Sequence, residues 1–115
     1  MGNVIIKYTV EGEILTIPVP EEGLTLHFLQ EQVGEYIEHV LTSEGHVLVD
    51  EEGLFKGLPE NPLGVKLFAM PLRGNIVRVN VGDEDFVPLT EEEAKSQIQS
   101  DKFALFVIDK LFGGK

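Results

Sequence analysis

The chain has 115 residues, enough for one domain, and its 43% hydrophobic content suffices for a single core. It has no cysteine, so disulfide frameworks and thiolate metal sites are excluded, which fits a reducing cytoplasm. Its formal net charge of −11 favours solubility and opposes contact with nucleic acid phosphates over most of the surface.

That charge is uneven. Residues 1–53 hold eleven acids and one base, residues 54–78 hold one acid and four bases, and residues 79–115 hold eight acids and four bases. A basic middle therefore lies between two acidic flanks. The plainer account of it is that Lys56, Lys66, Arg73 and Arg78 pair with acids across the fold.

The N-terminus, Met1 to Ile6, has no basic region followed by a long apolar run, so no signal peptide is expected. Ile6 stands where myristoylation needs Ser or Thr. No apolar run approaches membrane-spanning length, so no membrane partner is expected.

Val4 to Val10 alternates, with Val4, Ile6, Tyr8 and Val10 on one face. Glu11-Gly12 predicts a tight turn, and Glu13 to Val19 a returning strand. Pro18 and Pro20 cannot donate to a ladder, so that strand belongs at an edge. Thr25 is a candidate N-cap for a helix carrying Leu26, Leu29 and Val33, and Gly34 is a candidate left-handed cap. Tyr36 to Leu41 and His46 to Val49 predict two strands around Ser43-Glu44-Gly45. Asp50 to Gly53 predicts a turn and Leu54 to Gly57 a short strand. Leu58 to Gly64 is expected to be irregular, because Pro59 and Pro62 interrupt it. Val65 to Met70 reads equally as helix or strand.

After a turn at Pro71 to Gly74, Asn75 to Val81 alternates, with Ile76, Arg78 and Asn80 on one side. Asp83-Glu84-Asp85 predicts an acidic turn, followed by brief pairing over Phe86 to Leu89. Thr90-Glu91-Glu92-Glu93 is a capping box, so a helix is expected to about Gln99. Asp101 could cap a last helix, in which Phe103, Phe106, Val107 and Leu111 form one stripe. Phe103 to Ile108 reads also as a buried strand. Gly113-Gly114 resembles the tail of ubiquitin-like modifiers, but with Lys115 after it the simpler reading is a frayed helix end. The fold class expected from this order is α+β: a mainly antiparallel sheet of five or six strands, a first helix on one face, and two C-terminal helices closing the core. A flat sheet edge or the last helix would serve a homo-oligomer; core packing is the simpler account of the stripe.

Two stretches carry a resemblance. Leu29-Gln30, Val33-Gly34 and Tyr36-Ile37-Glu38 form one. Glu51-Glu52-Gly53-Leu54, Gly57-Leu58-Pro59 and Asn61 form the other. With Asp85-Phe86-Val87-Pro88-Leu89-Thr90 they resemble a small uncharacterised family common in phage and mobile-element genomes, over roughly residues 24–95. Glu35 replaces a usual second glycine, and Asp50 stands where asparagine is common. The resemblance implies a fold and a genomic setting, and no activity.

Enzymatic constellations are poor. His39 and His46 flank one hairpin without a third nitrogen ligand, whereas zinc needs three or four placed ligands, so no metal is expected. Ser43, Ser96 and Ser100 lack a motif that would supply a base. No glycine-rich phosphate loop is present. The chain is therefore expected to be no enzyme and to need no cofactor. Binding is more plausible. Lys56, Lys66 and Arg73 surround the loop that carries Asn61, and forks and turn amides suit phosphate oxygens. Gln30 and Tyr36 add an amide and a ring suited to a base. The plainer account is that Gln30 caps backbone groups, Tyr36 is core, and Asn61 bonds its own turn. The expected partner is a small anionic ligand, such as a nucleotide-type signal of host defence, and not nucleic acid itself. The alternative is an acidic protein that imitates nucleic acid and blocks a host enzyme; the plainer account of the acidity is solubility alone.

Overall fold

The computed structural model describes residues 3–113. Met1, Gly2, Gly114 and Lys115 lie outside that range, and with them the expectations about a leader, an acyl site and the second glycine of the Gly-Gly pair.

The fold is α+β, with a mainly antiparallel sheet. Strand β1 (Asn3–Tyr8) pairs with β2 (Ile14–Pro18) on one side and with β5 (Ile76–Val81) on the other. Next to β5 lies β4 (Gly45–Asp50), and β3 (Ile37–Thr42) forms the far edge, so the order is β2-β1-β5-β4-β3. Two short strands complete the sheet: β6 (Phe86–Val87) pairs with β5, and β7 (Leu89–Thr90) pairs with β1. Pro18 sits on the outer strand, where a missing N–H costs no ladder bond.

The central strands are buried on both faces, so their apolar residues run consecutively. Ile5, Leu48, Val77 and Val79 face α1 (Leu26–Gln32), which contributes Phe28 and Leu29. Val4, Ile6, Tyr8, Val47, Val49 and Ile76 form the other layer. They pack with Leu63 and Phe68 of α3 (Pro62–Phe68) and Ala94 of α4 (Glu91–Ile108).

Helix α1 starts as expected, with the Thr25 hydroxyl accepting from Phe28 N at 3.1 Å. Its end differs. Val33 is the C-cap and remains right-handed, while Gly34 has φ +149°. A Cβ at Gly34 would collide with the Asp50 carboxylate, so close approach joins backbone conformation in demanding glycine there.

The segment expected as a strand at Leu54 to Gly57 is instead a four-residue helix, α2 (Gly53–Lys56), closed by Gly57 at φ 74°. The segment expected to be irregular is helical from Pro62. Asn61 caps α3 and Pro62 takes the first turn, where its absent N–H has no intrahelical partner to lose. This also resolves Val65 to Phe68 as helix.

The C-terminal helix does not break near Gln99. No glycine or proline interrupts residues 91–108, and α4 runs through Asp101 before closing in a π turn over Asp109–Gly113. The stripe is mostly outside the core: Phe103, Phe106 and Leu111 are 67%, 57% and 70% exposed. The helix turns Ala94, Ile98, Asp101 and Leu105 toward the sheet instead.

Candidate functional site

Five of the six residues expected to form a site already have partners within the fold. Asn61 is fully buried, and its amide is occupied by the backbone. Nδ2 donates to the carbonyls of Tyr8 (3.0 Å) and Gly74 (2.8 Å), and Oδ1 accepts from Leu63 N (2.9 Å). Lys56 bonds the buried Asp50 carboxylate at 2.8 Å, and that bond raises the lysine's pKa. Lys66, on the outer side of α3, stands 3.8 Å from Asp109. Arg73 donates through Nη1 to Leu58 O at 2.8 Å. Gln30 donates to Glu35 O at 2.9 Å, closing the loop after α1. Tyr36 is half exposed rather than core.

A hollow of about 400 Å³ does lie beside Arg73, but Glu38, Asp50, Glu51 and Glu60 line it as well. Four carboxylates against one guanidinium disfavour an anion there. His39 and His46 meet across the hairpin, His39 Nε2 lying 2.8 Å from His46 Nδ1, with Phe86 edge-on to His39. Among the described residues no group of three or more His, Asp or Glu is placed to hold a metal ion.

A different residue stands out. Arg78 lies mid-strand on β5, on the same face as Ile76 and Asn80, and is only 6% exposed. Its guanidinium packs over the Phe68 ring, 5.3 Å from the centroid. Nε donates to the Tyr8 hydroxyl at 3.1 Å, and that hydroxyl donates to Asp101 Oδ2 at 2.6 Å. Asp101 Oδ1 accepts from Gln97 at 2.9 Å. Burial pushes the Tyr8 hydroxyl well above its usual pKa; the charge of Arg78 opposes this and the Asp101 bond adds to it, so the hydroxyl stays protonated. On its other side, Arg78 Nη1 donates to Glu44 O in the β3–β4 turn. A Cβ on Gly45 would stand 2.9 Å from that nitrogen, so the glycine keeps the passage open.

Nη2 has no partner. Among the described residues it is the one buried side-chain polar atom left so. A buried unpaired donor costs about 1–3 kcal/mol, more when charged. Arg78 also lines an open groove of about 740 Å³ between β5 and α4. Asn80 and Leu89 form its sheet side. Glu92, Glu93, Ser96, Gln97 and Ser100 come from one side of α4, at helical spacing.

The sequence signal for this site is a charge on the inward face of an alternating strand. A guanidinium between Ile76 and Asn80 on a covered face has to be bonded or used. Grouping it with the basic middle segment hides that distinction.

No curated protein matches the chain, and no solved structure matches it. Over residues 5–103 it matches the Domain of unknown function (DUF3846), which spans all of the strands but the first two residues of β1, and most of α4. The chain belongs to the DUF3846 family.

Proposed function

We propose that this protein is a non-catalytic binding protein that sequesters a small phosphate-bearing ligand of nucleotide type in the groove between β5 and α4. The observation that supports it is Arg78 Nη2, a buried charged donor without an acceptor beside a groove lined with amides and hydroxyls. A phosphate oxygen would complete the guanidinium's bonding, and charge-assisted bonds of this kind are the stronger class. Arg78 lines the groove together with Gln97 and Ser100, so a ligand seated there lies beside the guanidinium. The lining residues offer contacts, and no histidine stands among them to activate Ser96 or Ser100. In a phage or mobile-element setting, such sequestration would remove a signal of host defence.

A thermal-shift series with inorganic phosphate and a nucleotide panel tests this, because binding to the native state raises the melting temperature. At least one nucleotide should raise it. Arg78→Lys keeps the charge but loses the fork and should abolish the rise. Ser96→Leu, at an exposed position, should block the groove and leave the stability of the free protein within about 0.5 kcal/mol. If no probe shifts the melting temperature, or if Ser96→Leu binds as the parent does, the reading fails. The acidic-inhibitor reading then takes its place, tested by pull-down from host lysate with Glu-to-Gln variants in residues 11–52.

A further inference from the structure

The groove has two unlike ends, and they restrict the chemistry of what it can hold. One end is the guanidinium of Arg78, tied through Tyr8 to Asp101 and so to Gln97. The other end is the first turn of α4, where Asn80 Nδ2 lies 3.4 Å from Glu93 Oε1. Glu93 Oε1 is already bound to Thr90 N at 2.9 Å as part of the capping box, so Glu92, which lines the groove without a side-chain bond among the described residues, is the freer carboxylate to face a ligand. From Glu93 to Ser100 is seven residues, about 10 Å along a helix. Across the sheet, Arg78 and Asn80 are two residues apart, about 7 Å along a strand.

The charges do not suit a polyphosphate. Asp101 already offsets Arg78 through the shared tyrosine, so the guanidinium has one free fork arm and no surplus of positive charge. A second or third phosphate would extend along the groove toward Glu92 and Glu93. Like charges at that range repel, and a half-enclosed groove screens them less than open water does. What the far end does favour is an N–H donor. Carboxylates accept from the exocyclic amines of adenine, cytosine and guanine, whereas uracil presents carbonyl oxygens at the corresponding edge.

We infer that the groove selects a nucleoside 5′-monophosphate whose base carries an exocyclic amine, with the single phosphate on Arg78 and the amine on Glu92. The inference rests on the binding function proposed above and adds a ligand class to it. Asn80 at the acidic end and Gln97 near Arg78 offer further amide groups to such a ligand.

Calorimetric titration of the full chain with AMP, CMP, UMP, ATP and inorganic phosphate tests it. AMP and CMP should bind about tenfold tighter than UMP, the discrimination expected of one good base-edge contact. ATP should bind more weakly than AMP despite its greater charge. Glu92→Gln lies at an exposed helix position and should fold as the parent does. It should narrow the AMP-to-UMP gap and strengthen ATP binding. If UMP or ATP binds the parent as tightly as AMP does, while Arg78→Lys still loses AMP, the ligand class is wrong and the groove function stands. If Glu92→Gln leaves every ratio unchanged, the placement of the amine is wrong. If none of the five probes binds, the ligand class and the proposed function are overturned together.

Discussion

Single residues carry the polar interior of this protein, and Tyr8 is central to it. Its hydroxyl accepts from Arg78 and donates to Asp101, so removing one oxygen disturbs two charged partners. Tyr8→Phe should cost about 1–3 kcal/mol, measured as a lower urea midpoint, because both partners then lack a bond. The same residue shapes the alkaline limit. The native state holds the Tyr8 proton beyond the range, near pH 10, at which an unfolded chain releases it. Above that range the unfolded state binds fewer protons than the native one, so stability falls as pH rises. The contribution is fully present below about pH 10 and is lost as pH climbs toward the raised native value. Tyr8→Phe should therefore show a shallower decline above about pH 10 than the parent. Parallel decline of the two proteins would refute the assignment.

Among the elements, α4 is the one the groove depends on. Thr90 starts it with both bonds of a capping box: its hydroxyl accepts from Glu93 N at 3.1 Å, and Glu93 Oε1 accepts from Thr90 N at 2.9 Å. Thr90→Ala should cost about 1 kcal/mol. An unchanged urea midpoint in that variant would mean that the first turn is held by tertiary contacts instead. Asp101 illustrates why the helix was expected to break and does not. Aspartate favours a cap when its carboxylate can reach the following backbone amides. Here both oxygens are engaged elsewhere, one by Tyr8 and one by Gln97, so the chain continues as helix. The Phe103 stripe has the periodicity of a buried face, but α4 is rotated so that Asp101 and Leu105 meet the sheet. Periodicity identifies a helix and its moment; it does not say which side is covered.

At the scale of the whole molecule, the net charge of −11 on 115 residues sets a long-range repulsion that short contacts do not remove. Among the described residues, the lysine–aspartate pairs that oppose it are Lys56 with Asp50 at 2.8 Å and Lys66 with Asp109 at 3.8 Å. Raising ionic strength from about 0.01 to about 0.15 M shortens the screening length from about 30 to about 8 Å. Repulsion across the surface should fall more than attraction within these pairs. The urea midpoint should therefore rise with salt at neutral pH. A fall would mean that attractive pairs dominate the fold's electrostatics.

What the sequence determined alone is local. Alternation placed β1 and β5, strand-like runs around a turn placed β3 and β4, the Thr25 and Thr90 hydroxyls marked two helix starts, and the order of elements implied helices on an antiparallel sheet. These follow from near neighbours, whose spacing is fixed by the backbone. The tertiary structure decided what pairs with what. It made Leu54 to Lys56 helical, turned Asn61 from a ligand-like amide into a buried cap, and engaged Lys56 with Asp50. It also put Arg78 beside Tyr8, 70 positions away in the chain, and Tyr8 beside Asp101, 93 away. Contacts at such separation depend on sheet order and helix rotation, which no short window of sequence specifies, and the unpaired nitrogen at the groove is a product of them.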